Sequence, residues 1–458
     1  MMGRLDSSQD RFFYNFCLDD VVPADHLVRR IDAVLDLSWL HGELEPHYSH
    51  TGRPSIDPEL MIRMLIIGYV FVIRSERQLC SDVQVNMAYR WFCRLGLEDP
   101  IPDHSVFSRA RHERFRESEV LRRVFEAVVG SCIQEGLVGG QSISVDASFI
   151  RADVDQLKRV PGDKPIDWPD DQQASRAVTE YLNALDQEVP DENKASKRVK
   201  PPKAISLTDP QATWTTKKQK VRPHFVYDAN YLIDNKLGVI VDAEGTRANR
   251  VDENRICVSM VERVISRFGL KPKRLAADTA YGSGKTLKAL MDCGIDPHVP
   301  VWDKSTRKDG TFSRADFTYD RERDLYTCPT GKFLKTTGNI HSDDTLRYRA
   351  STRDCRPCPL KDRCCPNTPQ RKVPRDINED ARDYVRALAK TKMFKTMSDE
   401  RKKVEMAFAH MKNIFKLDQL RLRGLNGARD EVLLTATAQN LRKLARYVSR
   451  PPPIPATG

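Results

Sequence analysis

No uninterrupted apolar run in the 458 residues approaches the roughly 20 that a membrane-spanning helix needs. The best stretch, Met61 to Ile73, is too short and is broken by Arg63. With a mean hydropathy of −0.55, this excludes a helical membrane span. The N-terminal MMGRLDSSQD has no apolar core, so no secretion signal is expected and the expected location is cytoplasmic. In that compartment eleven cysteines read as reduced thiols or metal ligands, not as a disulfide framework. No internal repeat is apparent. Aromatic residues make up only 8%, yet 40% of the chain is hydrophobic, which suits a folded globular protein and not a disordered one. At roughly 100–200 residues per domain, the length suggests two to four structural units.

What the chain does have is unevenly placed positive charge. Its 75 Lys+Arg against 64 Asp+Glu give a formal +11. Residues 1–140 carry 16 basic and 21 acidic side chains, residues 141–370 carry 39 and 33, and residues 371–458 carry 20 and 10. Within the middle block, Lys194 to Arg222 holds nine Lys/Arg against one Asp. Local fields of this kind favour a polyanion through counterion release and steering, and the alternative for any one run is a solvated helix face.

Residues 23–136 read as mostly helical. Asp57-Pro58 marks a helix start, and Leu60, Met64, Ile67 and Phe71 follow at helical spacing. A second amphipathic segment runs from Leu79 to Leu95 and a third from Val106 to Phe115. Three short helices with tight turns can form a helix-turn-helix-like unit, with Arg109, Arg111 and Arg114 facing phosphates. The alternative is an ordinary helical bundle, which the local acidic balance favours for most of the surface.

From residue 142 the period changes. Ser142 to Ile150 alternates as a strand with Asp146 near its middle. Residues 155–222 are polar, Pro-rich and basic, a loop-dominated insertion with a helical patch at Ala174 to Leu185. Phe225 to Asp242 reads as a hairpin, Val251 to Phe268 as a helix, and Arg274 to Ala277 as a short buried strand ending before Asp278. Ser283 caps a helix to Cys293, Pro297 to Val301 is another strand, residues 320–370 form a Cys-bearing insertion, and Asp376 to Tyr447 returns to helix. The order indicates a mixed α/β, or α+β, core behind a helical N-terminal domain.

Two aspartates at strand positions are costly to bury unless a cation pairs with them. If their strands are neighbours, Asp146 and Asp278 can hold one or two Mg²⁺, a hard ion that wants oxygen ligands and leaves positions open for substrate phosphates. On a helix from Glu400 to Leu417, Val404, Ala407, Phe408, Met411, Ile414 and Phe415 form the apolar stripe. Arg401, Glu405, Ala409, Lys412 and Lys416 line a neighbouring face. One carboxylate flanked by cations suits a metal-plus-phosphate site, with Glu405 on the metal and Arg401 and Lys412 on the DNA backbone. A salt-bridged surface helix is the alternative.

Taken together, Asp146 in Ser-Val-Asp-Ala-Ser, Asp278 in Ala-Ala-Asp-Thr-Ala-Tyr-Gly, and Arg401-(3)-Glu405-(6)-Lys412 resemble the DDE transposases of bacterial insertion sequences. The stretches Gly52 to Pro58 and Pro102 to Arg109 resemble the helical domain that precedes the catalytic domain in that group. The resemblance covers nearly the whole chain. One departure is Ser398, which stands where the signature has Tyr and removes a phenolic contact. The resemblance implies a helical DNA-binding and assembly domain at 1–137 and a ribonuclease H-like catalytic domain at 138–450. The 155–222 and 320–370 segments would be insertions, with a Pro-rich tail at 451–458. It implies two Mg²⁺ (or Mn²⁺) held by Asp146, Asp278 and Glu405, and phosphate contacts from Arg401, Lys412, Lys416, Arg109 and Arg111. Lys194 to Arg222 would clamp the DNA. The implied partners are terminal inverted repeats and target DNA, bound by a homodimer. The rivals are a ribonuclease H-like nuclease without strand transfer and an inactive DNA-binding derivative.

Cys328, then Cys355, Cys358, Cys364 and Cys365, place four or five thiols in a short span. Four thiolates satisfy a structural Zn²⁺, so Cys328, Cys355, Cys358 and Cys364 are the expected ligands. Reduced thiols and an iron–sulfur cluster are the alternatives. Similar clusters occur in relatives of this kind, between the second Asp and the Glu. The other cysteines, 17, 80, 93, 132, 257 and 293, sit among apolar neighbours and read as core. Gly282 to Thr286 mimics a phosphate loop, but that pattern needs Gly where this chain has Thr279, so an ATPase fails on spacing.

Overall fold

The computed structural model describes residues 16–48, 55–170, 173–187, 201–215, 222–303 and 309–448. Residues 194–200 and 216–221 of the basic run, part of the Gly52 to Pro58 stretch and the 451–458 tail lie outside them.

Local capping chemistry sets the helical head. Asp57 accepts from the Leu60 N–H at 3.0 Å and Pro58 opens the helix Pro58–Val70. This helix is buried on nearly every side, Arg63 included, so it is the centre of the head and not an amphipathic surface element. Arg63 is tolerated because Asp32 and Glu59 each meet it at 2.7 Å. The segment expected as one helix from Leu79 to Leu95 is two, Glu76–Val85 and Met87–Phe92. Asn86 divides them, because its side chain caps the second by accepting from the Tyr89 N–H at 3.1 Å. The third segment also splits, into His104–His112 and Arg114–Glu117. Helix Val120–Gln134 closes the head.

The strands follow in chain order: β1 (Ser142–Arg151), β2 (Arg159–Val160), β3 (Ile205–Ser206), β4 (Thr213–Thr215), β5 (His224–Asp234), β6 (Ile240–Arg247), β7 (Arg274–Ala276) and β8 (Asp296–His298). β1 pairs antiparallel with β5 on one side and parallel with β7 on the other, and β7 pairs parallel with β8. The far edge of β5 pairs antiparallel with β6 and, at its start, with β4. The β5–β6 hairpin turns through Gly238 at φ +71, a conformation that favours glycine. Among its described residues, the 155–222 segment holds the expected helix, at Arg176–Gln187, and also the β2–β3 pair and β4.

Helix Lys392–Asn413 packs across β1, β7 and β8, and helix Gly424–Val448 packs on β6 and on the head. The second is sealed to the sheet by Asn440, fully buried, which donates to the Ile240 carbonyl at 2.7 Å and accepts from its N–H at 3.1 Å. One hydrophobic core runs from Val22 in the head through the sheet to Ala445. A separate core holds a five-stranded antiparallel sheet, β9 (Thr318–Asp320), β10 (Leu325–Thr327), β11 (Phe333–Lys335), β12 (Thr345–Arg349) and β13 (Lys372–Asp376), which carries the clustered cysteines. The chain is thus a mixed α+β molecule, helical at its start and sheet-rich after it. No helix of the described residues is long and apolar enough to cross a membrane.

Candidate active site

β1 and β7 are neighbours, so the condition on the two aspartates is met. Their last paired rung is Ser144 with Ala276. Asp146, midway along β1, and Asp278, just past the end of β7, each stand two residues beyond it on neighbouring segments of the sheet. Asp278 is fixed by the turn after β7, accepting from the Ala280 N–H at 2.8 Å. Asp146 is fixed by the Ala147 N–H, also at 2.8 Å. Burial is the first reason that the Asp146 carboxyl is pushed up to about 6; Asp278 and Glu405 push the same way, and Arg401 opposes them. Asp146 therefore senses both other carboxylates of the expected set.

The third carboxylate arrives on helix Lys392–Asn413. Its side chain is 59% exposed, against 19% for Asp146. Arg401 lies between the two, 3.8 Å from Asp146 and 3.5 Å from Glu405. The helix is held in register by a polar seam that the sequence reading missed. Glu400 accepts from Ser142 at 3.3 Å and from Asn235 at 3.1 Å, and Ser144 donates to Asn235 at 2.8 Å. The available signal was the pair of serines alternating with apolar residues in β1, on the same face as Asp146. His298, on the β8 rung beside Ala276, also faces this helix, with its ring stacked on Phe394 at 5.7 Å.

Several expected phosphate contacts are placed differently. The helix starts at Lys392 and ends at Asn413, so Lys416 is not on its face; it sits in the following loop at φ +56. Ile414, assigned to the apolar stripe, is 43% exposed for the same reason, while Val404, Phe408, Met411 and Phe415 are buried. Lys412 donates to the Phe149 carbonyl of β1 at 2.9 Å, which ties helix to strand. Arg111 is 4% exposed and pairs with Glu76 at 2.6 Å. Arg114 lies over the Tyr48 ring at 4.8 Å, and Arg109 is exposed. Ser398 is exposed on the helix.

The five clustered thiols, Cys328, Cys355, Cys358, Cys364 and Cys365, line one small pocket. Cys328 accepts from the Lys332 N–H at 3.3 Å. Burial, then Cys365, raises Cys355, and burial pushes Cys364 up to about 11. Among the described residues no group of three or more His, Cys, Asp or Glu is arranged to hold a metal ion. The four cysteines expected on zinc are therefore gathered without standing at ligand positions. Likewise Asp146, Asp278 and Glu405 do not form a ligand set, and Arg401 bridges the first and the last. Of the remaining cysteines, Cys93, Cys132 and Cys257 are buried and Cys17 is exposed, which removes Cys17 from the core set.

Residues 16–113 match the model of a transposase domain, DUF772, and residues 327–445 match that of a transposase DDE domain. The first covers most of the helical head, and the second covers Glu405 and the helices around it. Neither spans Asp146 or Asp278, whose placement rests on the strand register. No curated protein matches the chain. The chain is similar, at 10% identity, to a piggyBac transposase in a synaptic complex with hairpin DNA. That similarity covers 94% of this chain and 82% of the other, at a TM-score of 0.28, too low to equate the two folds. A transposase head and a DDE domain on one chain define the class: this is a DDE-type transposase. It is a DNA-acting enzyme of the nuclease and transposase kind.

Proposed function

We propose that the protein binds the terminal inverted repeats of its own element, a bacterial insertion sequence. On this proposal it works as a homodimer in the cytoplasm, cuts the DNA ends and joins them to target DNA. The observation that carries the proposal is the placement of Asp146 within β1 beside Asp278, just past the end of neighbouring β7, beneath a helix that presents Glu405. The strand order, with β6, β5 and β1 antiparallel and β7 and β8 parallel to β1, supports a ribonuclease H-like catalytic core.

Transposases of this class generally use divalent metal ions. The donor chemistry suits one: three hard carboxylate oxygens, mutually repelling, with the buried Asp146 raised by its neighbours. Asp146, Asp278 and Glu405 would hold two Mg²⁺ or Mn²⁺. Bound ions would supply activation of the attacking oxygen and stabilisation of the leaving one. The chain's own residues orient the rest. Glu400, Ser142, Ser144 and Asn235 fix the helix so that Glu405 faces the aspartates. Arg401 bridges Asp146 and Glu405 and is the cation placed to meet a DNA phosphate brought to the carboxylates. Both hydrolysis of the end and attack of the freed 3′-hydroxyl use the same carboxylate set.

A structural zinc ion is proposed at the five-thiol pocket because the thiols line one pocket; since they do not stand at ligand positions, binding would have to draw them together. Native mass spectrometry tests it: a protein free of metal after purification without chelator removes the zinc assignment. The wider proposal is tested by incubating the protein with DNA carrying the repeats that flank its gene. Joined products support transposition, whereas cut but unjoined ends leave only the nuclease.

A further inference from the structure

A second charged feature lies away from the carboxylates, where the head, the 155–222 insertion and the chain beyond β1 meet. Six arginines line this cleft: Arg74, Arg77, Arg111, Arg176, Arg421 and Arg423. They come from segments far apart in sequence, so no single run of charge marks the place. Three are neutralised within the fold. Arg111 pairs with Glu76 at 2.6 Å, Arg421 with the buried Glu431 at 3.3 Å, and Arg423 with Asp153 at 3.0 Å.

The other three differ. Arg74 donates to two backbone carbonyls, Gln419 at 2.9 Å and Lys416 at 3.4 Å, and Arg77 lies 3.5 Å from the His104 ring. Among the described residues neither pairs with a carboxylate. Arg176 reaches Glu180 only at 3.7 Å, and Glu180 is already held by Arg116 at 2.5 Å. Adjacent Arg111 and His112 also leave nitrogens without a hydrogen bond on the cleft wall, as Glu76 leaves an oxygen. Arg111, 4% exposed and lining the cleft, has a buried Nε with no hydrogen-bond partner. His112, also on the wall, has a buried Nδ1 without a partner; burial and the charges of Arg111, Arg176 and Arg116 push it down to about 2.

We propose that this cleft grips the phosphodiester backbone of duplex DNA, with Arg74, Arg77 and Arg176 as the phosphate donors. The inference rests on the assignment of the chain as a DNA transposase and says where the substrate is held. It also moves the head's phosphate contacts from Arg111, which is spent on Glu76, to the arginines around it. The cleft and the carboxylates can serve one duplex. Asp153 on the cleft wall is seven residues beyond Asp146, a reach of at most about 23 Å, within one helical turn of B-DNA at roughly 34 Å. Arg74 also holds the loop that directly follows the helix bearing Glu405. The cleft continues along helix His104–His112 past Ser105 and Arg109, which gives an extended track and not an enclosed pocket for a small anion.

The test is titration of a fluorescein-labelled duplex of arbitrary sequence, several turns long, over a range of salt concentrations. The triple variant Arg74→Gln, Arg77→Gln, Arg176→Gln is expected to bind at least about tenfold more weakly, with the slope of log affinity against log salt reduced by about 2 to 3. Arg321→Gln with Arg323→Gln, exposed on the Cys-bearing sheet, should leave both unchanged. A folded triple variant with wild-type affinity and slope overturns the proposal. A measurement on the unaltered protein removes any dependence on folding of the variant. Arginine modification by a dicarbonyl reagent, read by peptide mass spectrometry, should fall at Arg77 and Arg176 when the duplex is bound. Equal modification with and without DNA overturns the site. A protein that cuts DNA while these arginines stay unprotected loses the cleft and keeps the transposase assignment. Protection without any cutting keeps the cleft and counts against the assignment.

Discussion

Asp146 carries the strongest electrostatic tension of the candidate site. Its carboxyl has an ordinary value of 3.8 and stands at about 6 in the fold. Between those values the unfolded chain releases a proton that the folded chain keeps. The stability it contributes is therefore full below about pH 4, is lost as pH rises to about 6, and stays reduced above that by roughly 3 kcal/mol. Asp146→Asn should accordingly stabilise the metal-free protein by about 1–3 kcal/mol near neutral pH and by nothing near pH 4, while cleavage disappears. Denaturant unfolding at the two pH values checks the first part; a variant less stable than wild type at neutral pH contradicts it. Mg²⁺ should raise the melting temperature of the wild type and not of this variant, since the ion binds only the folded carboxylate set. Glu405, being exposed, should matter little to stability: Glu405→Gln removes cleavage and leaves unfolding nearly unchanged.

At the scale of elements, helix Lys392–Asn413 decides the site, because it must bring Glu405 to Asp146 on β1 and Asp278 after β7. Its anchor is Glu400, partly buried and bound by Ser142 and Asn235. Glu400→Ala should cost about 1–3 kcal/mol through the groups left unpaired, and should slow cleavage without weakening DNA binding. An unchanged rate would show that the seam does not position Glu405. Much of this element was legible beforehand. Asp57 and Ser283 announced their helices because capping is local. The carboxylates stood out because charge inside an apolar strand is costly. The end of the helix was not legible: Lys416 leaves it with a left-handed backbone, which periodicity carried past Asn413 cannot see. The pairing of Arg111 with Glu76 was equally hidden, since it joins two helices that only the folded head brings together. The cleft arginines, drawn from four distant segments, lay beyond any reading of local charge.

At the scale of the molecule, two cores imply two units of stability. The head, the main sheet and helix Gly424–Val448 share one core, while β9 to β13 have their own. The shared core is crossed by a buried ionic network in which Asp242 meets Arg122 at 2.6 Å and Arg263 at 2.8 Å. Removing one partner of such a network leaves uncompensated charge, so Asp242→Ala should destabilise by about 3–5 kcal/mol. Head and sheet should still melt together. Hydrogen exchange should show β9 to β13 opening separately, and first when thiol-binding metal is stripped if the pocket holds one. A head that exchanged independently of the sheet would contradict the single core.

The central claim is that Asp146, Asp278 and Glu405 act as one metal-binding set on DNA. Its most direct test is cleavage of repeat-bearing DNA with Mg²⁺ by the wild type and by Asp146→Asn, Asp278→Asn and Glu405→Gln, with duplex affinity measured in parallel. The prediction is that each variant binds DNA as the wild type does and cuts it at least about 10²–10³-fold more slowly. A single one of the three that cuts at the wild-type rate would contradict it.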